Sequence, residues 1–304
     1  MSSDFLPKKP ACDFTPIPTS SRPSLFASLF GGNNISTPNY YNNAPYLPKY
    51  ENTEPNEPLN LKEKQTNMDK IRFEDLINNP STRIPVCFCL DISPSMSGKS
   101  MYGADPSLSG VPIDELNKGL RLMFEELRAD DRTRFAVEAA VVTFSHKGFL
   151  VQDFETIDQA KCPQLMLDMV VGGSSLGSGV NMALDLLEKR KTEYKETGVL
   201  YYQPWLVIIT DGDPTDDIHL AAAKRIKPLV ESRKMAVFPV GVGSNVGLER
   251  LAVLSPKAPP LRLKGLKFAE FFQFLSASIQ QVSVSGVDEE IRLDTSNLGS
   301  WAKL

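Results

Sequence analysis

Four short, mostly apolar runs that alternate with segments of helical periodicity constrain the fold of this chain most strongly. The runs cover residues 84–90, 135–144, 205–210 and 236–242. Runs of this length and composition are typical of strands that are buried on both faces of a sheet. In the segments between them, apolar residues recur every three or four positions, as in helices that pack one face against a sheet. This alternation predicts an α/β fold of the Rossmann-like, doubly wound type, with a mostly parallel sheet flanked by helices.

Two prolines and one short segment refine this prediction. Pro112 stands at the start of the first helical segment, where a proline fits because its missing N–H needs no partner there. Pro239 lies inside the fourth apolar run and cannot donate to a neighbouring strand, so we expect a bulge or an exposed edge at that position. Residues 149–154 are typical of a short edge strand. The sequence thus predicts four buried strands and one strand at the edge.

The composition changes between the first 75 residues and the rest of the chain. The N-terminal part is rich in Pro, Asn, Ser and Thr and has few periodic apolar positions. Such a segment cannot bury enough apolar surface to offset the entropy that it would lose on ordering. We therefore predict a disordered or extended N-terminal tail over 1–75, a folded domain over 82–285 and a C-terminal tail over 286–304. The scattered aromatic residues of the N-terminal tail leave a partner-binding motif open as an alternative to a solvated linker.

The charge and the cysteines limit the classes of function. A formal net charge of −4 provides no broad basic surface for nucleic acid and no polybasic patch for a membrane. The sequence shows no signal peptide and no apolar run of membrane-spanning length, so we expect a cytoplasmic protein. The four cysteines include no CxxC pair, and Cys87 and Cys89 would share one face of a strand as buried thiols.

Three polar clusters lie at the ends of predicted strands or at the start of a helix. The first, DISPS, begins at Asp91, directly after the first apolar run. The second, GGSSLG, begins at Gly172 and opens a helix, and the third, TDGD, begins at Thr210 at the end of the third run. Because ligands of open α/β sheets bind beyond the carboxyl ends of the strands, we expect the three clusters to lie on one rim.

The oxygen atoms of these clusters indicate hard-metal chemistry. Carboxylates and hydroxyls suit Mg²⁺, Mn²⁺ or Ca²⁺ better than zinc or copper. In an extended D-x-S-x-S segment, Asp91, Ser93 and Ser95 point to the same side. Since the anionic ligands are few, an open position on the cation would accept a carboxylate from a partner, which is binding without bond breakage. Taken singly, each of these residues would fit a turn or a helix cap equally well.

The order of the three motifs resembles the metal-ion-dependent adhesion site of von Willebrand factor type A domains, over about residues 84–285. The resemblance implies a single divalent cation, Mg²⁺ first and Mn²⁺ or Ca²⁺ as alternatives. It also implies binding to another protein, whose acidic residue completes the coordination, rather than catalysis. Ser174 takes the place usually held by threonine and keeps the hydroxyl. The metal residues implied by the resemblance are Asp91, Ser93, Ser95, Ser174 and Asp211.

Flanking phrases resemble one bacterial group within this family. They are KRKTEYKETGVLYYQPWLVIITDGDPTD, PPLRLKGLKFAEFFQFLSASI and the terminal GSWAKL, and they are similar to the TerY/YegL-like proteins. That likeness implies a cytoplasmic protein of a tellurite-resistance or stress-response system. The process is implied by the resemblance alone.

The chain departs from the family pattern in its first loop. Pro94 stands where glycine is usual, and the loop is lengthened by the segment SGKSMYGADPSLSGVP, residues 97–112. We expect the partner-facing rim of the site to include Asp105 from this insertion, together with Ser175 and Asp213. A solvated insertion without a role is the alternative.

Two other functions remain as alternatives. Asp91 and Asp211 after successive strands are compatible with a metal-dependent phosphoesterase or phosphotransferase on a Rossmann-like fold. In haloacid-dehalogenase-type enzymes a second Asp two residues on is the acid/base, and here that position is Ser93, which cannot serve as an acid near neutral pH. No P-loop motif occurs. The other alternative is a structural scaffold that holds no metal.

Overall fold

A seven-stranded mixed sheet forms the centre of the structure, a computed structural model that describes residues 78–100, 103–170, 174–214, 217–244, 246–286 and 293–303. The predicted N-terminal tail, 1–75, lies outside the described residues. The strands are β1 (Ile84–Asp91), β2 (Lys99–Ser100), β3 (Gly103–Ala104), β4 (Val137–Phe144), β5 (Gly148–Thr156), β6 (Trp205–Thr210), β7 (Ala236–Gly241), β8 (Leu261–Leu263) and β9 (Ala302–Lys303). The order in the large sheet is β5-β4-β1-β6-β7-β8-β9, while β2 and β3 form a separate ribbon.

The direction of the strands confirms the predicted fold class. Strands β4, β1, β6, β7 and β8 are parallel neighbours. The two outer strands, β5 and β9, run antiparallel to their neighbours. The sheet is therefore mostly parallel, with an antiparallel edge on each side, and β5 is the predicted edge strand.

Helices cover both faces of this sheet. They are α1 (Pro112–Ala129), α2 (Thr133–Ala136), α3 (Leu176–Thr197), α4 (Ile218–Glu231), α5 (Leu248–Ala252), α6 (Phe268–Ser283) and α7 (Leu298–Trp301), and a 3-10 turn spans Pro94–Ser97. Within the described residues, no helix is both long and apolar enough to cross a membrane. Pro112 occupies the first turn of α1, as predicted.

Alternation along β1 divides the hydrophobic core into two layers. Val86, Phe88 and Leu90 join one cluster, with the inner faces of α1 and α6. Cys87 and Cys89 join the other, with α3 and α4. Both cysteines are free thiols that are fully buried, and burial is the first cause of the raised pKa of each. The prediction of two buried thiols on one strand face is confirmed.

The start of the second predicted strand is wrong by two residues. Residues 135 and 136 belong to the short helix α2, and β4 begins only at Val137. The Asp130 carboxylate accepts hydrogen bonds from the backbone N–H groups of Arg132 and Thr133, at 3.1 and 2.8 Å. These hydrogen bonds stabilise the turn that leads into α2, directly before the strand, and an apolar pattern does not reveal them.

Pro239 sits in β7 without the predicted bulge. The pairing of β7 with β6 runs without interruption from Ala236 to Gly241. The N–H groups of Ala236 and Val242 both donate towards β6. Since N–H directions alternate along a strand, the nitrogen of Pro239 faces the β8 side, where pairing begins only at Val240. The missing donor therefore removes no hydrogen bond from the ladder.

The predicted C-terminal tail, 286–304, is wrong for its described residues, 293–303. Strand β9 pairs with β8 and completes the sheet. Trp301 is 3% exposed and packs on Phe271 and Phe274 of α6, with ring centroids 5.8 and 5.4 Å apart. Burial of this one large aromatic side chain offsets the ordering of a segment that has no periodic pattern of its own.

Candidate metal centre

The two predicted acidic ligands meet at the carboxyl edge of the sheet. Asp91 is the last residue of β1, and Asp211 directly follows β6, its parallel neighbour. Asp91 is 0% exposed and Asp211 is 8% exposed. The strand topology that the sequence predicted therefore brings two buried carboxylates to one place.

Hydroxyl groups connect these carboxylates. Ser95 Oγ donates to Asp211 Oδ1 at 2.7 Å and lies 2.9 Å from Ser93 Oγ. The backbone N–H of Ser93 donates to Asp91 Oδ1 at 2.8 Å. On the other side, Thr210 Oγ1 donates to Asp91 Oδ2 at 2.5 Å. The D-x-S-x-S loop and the end of β6 thus form one continuous cluster of oxygen atoms.

The second polar cluster completes the set. Ser174 lies beside Asp91, where its hydroxyl helps to lower the pKa of that carboxyl group, and Ser174 and Ser175 are 7% and 8% exposed. A side chain on Gly177 would lie 2.3 Å from the backbone nitrogen of His219, so only glycine allows α3 to start this close to α4. The structure thus brings all five predicted metal residues together, while residues 172 and 173 of the motif lie outside the described residues.

The site concentrates negative charge. Burial raises the pKa of Asp91, opposed in part by hydrogen bonds from Ser93, Thr210 and Ser174. Burial and the nearby Asp91 raise the pKa of Asp211 to about 7, against the hydrogen bond from Ser95. Within the described residues neither carboxylate forms an ion pair with Lys, Arg or His. Two buried acids therefore share one site without a protein cation.

This donor set fits a hard divalent cation. Two carboxylates and three serine hydroxyls, from Ser93, Ser95 and Ser174, are oxygen ligands of the kind that Mg²⁺, Mn²⁺ and Ca²⁺ prefer. The described residues contain no group of three or more His, Cys, Asp or Glu side chains that could hold a metal. The site is therefore distinct from a carboxylate-rich cage or a zinc centre, and it would leave a bound cation with few anionic ligands.

Asp105 of the first-loop insertion lies beside the site, but its oxygens are engaged. They accept hydrogen bonds from the backbone N–H groups of Ser107 (2.8 Å) and Ser244 (2.9 Å) and from the Ser244 hydroxyl (3.0 Å). Although partial burial opposes it, these bonds lower the pKa of Asp105 to about 2, and its charge helps raise that of Asp211. Gly243, at φ +77°, is required here because a Cβ would lie 2.6 Å from Asp105 Oδ2. The insertion is therefore fastened to the loop after β7.

Asp213 points away from the cluster. Its Oδ1 accepts the backbone N–H of Gly247 at 2.5 Å, at the start of α5, and its Oδ2 lies 3.7 Å from Arg250 Nε. Of the three predicted rim residues, Asp105 and Asp213 thus bind neighbouring loops, and Ser175 is buried. A partner-binding role for them remains a prediction.

Two features of the site were not predicted. Thr210 was noted only as part of the third motif, although its hydroxyl contacts Asp91 directly. His146, for which a surface or loop role was expected rather than metal binding, has its Nδ1 2.8 Å from Asp168 Oδ2 next to the site. For Thr210, the alternation of side chains along the buried strand that it ends, directly before Asp211, could have indicated this contact. No local pattern links His146 to Asp168.

Comparison with known families decides the assignment. A family model described as the von Willebrand factor type A domain matches residues 86–259, more than half of the chain. The chain belongs to the von Willebrand factor type A domain family. The matched range contains every predicted metal residue of this A domain. A comparison with curated proteins finds no match.

The solved structures to which the chain is similar are distant from it. The von Willebrand factor type A protein from Catenulispora acidiphila is 14% identical with a TM-score of 0.48, covering 66% of this chain and 43% of that one. The PilB minor pilin from Streptococcus sanguinis is 14% identical with a TM-score of 0.47, covering 68% and 64%. Proximal thread matrix protein 1 from the mussel byssus, "with zinc occupied MIDAS motif", is 16% identical with a TM-score of 0.38, covering 67% and 46%. The chain spans less than two thirds of each of these proteins.

Proposed function

We propose that the A domain is a metal-dependent protein-binding module. One divalent cation, Mg²⁺ first and Mn²⁺ or Ca²⁺ as alternatives, is held at the carboxyl edge of the sheet. When bound, the cation supplies a Lewis-acidic position that accepts a carboxylate oxygen from a partner protein. The residues that hold it are Asp91, Ser93, Ser95, Ser174 and Asp211.

One observation carries this proposal. Asp91 and Asp211 are buried side by side and are bridged by hydroxyls, yet no described residue pairs them with a positive charge. Buried charges in proteins are paired or coordinate metals, because an isolated buried carboxylate is costly. A divalent cation would balance both acids at once and would favour their ionised forms.

The chemistry of the donors defines the partner. Serine hydroxyls are neutral, so the protein offers two negative charges to a doubly charged ion. An acidic side chain from outside is the ligand that best completes such a site, since Mg²⁺ prefers carboxylate and water oxygens. We therefore propose that the partner is a protein that presents an Asp or Glu, and that neither nucleic acid nor membrane is bound.

The alternative of a phosphoesterase or phosphotransferase has less support. An Asp nucleophile must be reached by its substrate, but Asp91 is 0% exposed and one of its oxygens is occupied by Thr210. At the position of the expected acid/base stands Ser93, whose hydroxyl cannot donate a proton readily near neutral pH. We propose that the chain is not an enzyme, and we expect no Mg²⁺-dependent hydrolysis of p-nitrophenyl phosphate.

The cellular setting follows from the flanking phrases. Their likeness to the TerY/YegL-like group supports a cytoplasmic protein of a tellurite-resistance or stress-response system. The order of domains that we propose is an N-terminal tail over 1–75 followed by the A domain from residue 82. Because β9 pairs with β8 in the sheet and Trp301 packs on α6, we extend that domain beyond residue 285 to residue 303.

Metal binding and partner binding are tested together. Calorimetric titration of MgCl₂ into the metal-free full chain is expected to show one saturable site in the wild type and none in Asp91→Ala. The control is Asp158→Ala, which removes a partly exposed carboxylate that pairs with Arg134 away from the site. Proteins retained from a cell lysate in MgCl₂ should be lost in EDTA and with Asp91→Ala, but not with the control. Retention of the same proteins in EDTA would contradict the proposal.

A further inference from the structure

The segment that leads to Ser174 has no regular secondary structure of its own. Residues 160–170 form neither helix nor strand. Their position is set by side chains of other elements. Near its start, Arg128 of α1 donates to the carbonyl of Ala160. Further along, the buried Asn117 of α1 binds both the N–H and the carbonyl of Leu165, at 2.8 and 2.9 Å. Both anchors lie before the segment reaches the metal centre.

The last described anchor before the metal centre is Asp168. Its backbone N–H donates to the carbonyl of Ile92 at 2.8 Å, within the D-x-S-x-S loop. Its Oδ2 accepts from His146 Nδ1 at 2.8 Å, and its Oδ1 accepts the N–H of Val170 at 3.1 Å. The His146 ring packs edge-on against Phe149 of β5, with centroids 5.5 Å apart. One side chain therefore joins the segment to the turn between β4 and β5.

That same turn also binds Ser175, the residue between Ser174 and the start of α3. Ser145, next to His146, accepts the backbone N–H of Ser175 on its carbonyl at 2.7 Å. Asp168 and Ser175 are thus fixed to adjacent residues of one turn, with Ser174 beside them. Ile92, which Asp168 binds, lies between Asp91 and Ser93. Asp168 is therefore joined to the D-x-S-x-S loop by its own backbone N–H and, through the His146 side chain, to the turn that binds Ser175.

We propose that Asp168 and His146 are positioning residues that place Ser174 and the D-x-S-x-S loop at the coordination distance required by a divalent cation. This inference rests on the proposed metal site and adds two residues to it. The contacts of Asp168 and His146 lead to the backbone next to the five metal residues, and it is through this backbone that both act. Residues that orient metal ligands in this way typically change metal affinity by about 10- to 100-fold when they are removed.

The test is the affinity of the metal-free full chain for Mn²⁺, measured by the paramagnetic resonance of free Mn²⁺. Asp168→Ala and His146→Ala are expected to weaken binding by about 10-fold or more. His146→Asn keeps an N–H near the place of Nδ1, and it is expected to restore binding to within about threefold of the wild type. Rescue by this variant separates a positioning role from simple loss of packing.

The matched control is Asp158→Ala, which breaks the Arg134–Asp158 pair, of comparable exposure, at a distant surface. In EDTA, the melting temperatures of Asp168→Ala and Asp158→Ala are expected to fall by similar amounts, while only Asp168→Ala loses affinity for Mn²⁺. Equal Mn²⁺ affinity in Asp168→Ala and wild type would overturn the inference, and so would failure of His146→Asn to restore binding that His146→Ala had lost. If the wild type itself binds no Mn²⁺, the proposed function fails as well.

Discussion

The two ends of the central sheet both bury carboxylates, but they balance the charge in different ways. At the amino end, Glu138 near the start of β4 is 0% exposed and pairs with Arg83 at 2.8 Å and with Arg190 at 2.6 Å. Tyr194 also donates to it, at 2.5 Å. At the carboxyl end, Asp91 and Asp211 receive hydrogen bonds only from hydroxyl and backbone groups among the described residues.

This difference distinguishes Glu138, whose charge stabilises the fold, from Asp91 and Asp211, whose charges we propose to bind a metal ion. Two arginines close the Glu138 cluster from within the protein, and the negative charge of Glu138 raises the pKa of Arg190 against the effect of burial. No further cation is needed to balance the charge of Glu138. Among the described residues the Asp91–Asp211 cluster has no such cation; in the proposed function a bound metal ion balances its charge, and without metal the raised pKa of Asp211, about 7, favours protonation instead. Acidic residues that are buried to the same extent can therefore have different roles. Whether a positively charged side chain pairs with the carboxylate distinguishes the two roles.

The largest effect is expected at the amino end. Glu138→Gln removes the buried anion that Arg83 and Arg190 share and leaves Arg190 paired with Glu193, and we expect a loss of about 3–5 kcal/mol in the free energy of unfolding. Urea unfolding should give the same loss in EDTA and in MgCl₂. The control is Glu115→Gln, which breaks an exposed surface pair with Lys118 and should leave the free energy of unfolding nearly unchanged. Equal losses for the two variants would remove the contrast between the ends.

An effect of intermediate size is expected at the carboxyl end, where the substitution should remove the stabilisation by Mg²⁺ and not the stability of the metal-free protein. Asp211→Asn removes one of two neighbouring negative charges and keeps an oxygen that accepts from Ser95. In EDTA we expect the free energy of unfolding to stay within about 1 kcal/mol of the wild type or to rise above it. MgCl₂ at about 100 times its dissociation constant should stabilise the wild type by about 2.7 kcal/mol and the variant not at all.

Urea unfolding of both chains, with and without MgCl₂, checks this prediction. If Asp211→Asn were as destabilised in EDTA as Glu138→Gln, the charge at the carboxyl end would be balanced within the protein, as it is at the amino end. Equal stabilisation of both chains by MgCl₂ would show that the cation binds elsewhere.

The sequence predicted the carboxyl end better than the amino end, for a physical reason. Asp91 and Asp211 end adjacent parallel strands, and strand order places their ends together without detailed knowledge of packing. Glu138 and Arg190 are 52 residues apart, and they meet only because α3 packs on β4. The same limit explains the failure to predict the role of Trp301, which depends on the surface of α6.

Local capping was equally hard to predict from the pattern of apolar residues. The turn that α2 adds before β4 depends on Asp130, and the harmless position of Pro239 depends on which side of β7 lacks a partner. Each depends on the hydrogen-bonding groups of one or two residues. A periodic pattern of apolar residues over ten positions carries no information about such hydrogen-bonding groups.

The smallest effect is expected at the first-loop insertion. Asp105 and Ser244 are 139 residues apart and form hydrogen bonds at a partly exposed position. In a double-mutant cycle with Asp105→Ala and Ser244→Ala, unfolding in EDTA should give a coupling energy of about 1 kcal/mol. A coupling near zero would mean that the insertion is not fastened to the loop after β7. The comparison of the two ends would then apply to the strands of the sheet and not to the first-loop insertion.

The most direct measurement is the anomalous scattering of Mn²⁺ in crystals of the full chain grown in MnCl₂. The account predicts one strong peak at the carboxyl edge of the sheet, bonded to the Ser93 and Ser95 hydroxyls and in contact with Asp91 and Asp211 directly or through water. It also predicts no peak at Glu138. A map with no manganese between Asp91 and Asp211, or with the ion bound only at other acidic residues, would contradict it.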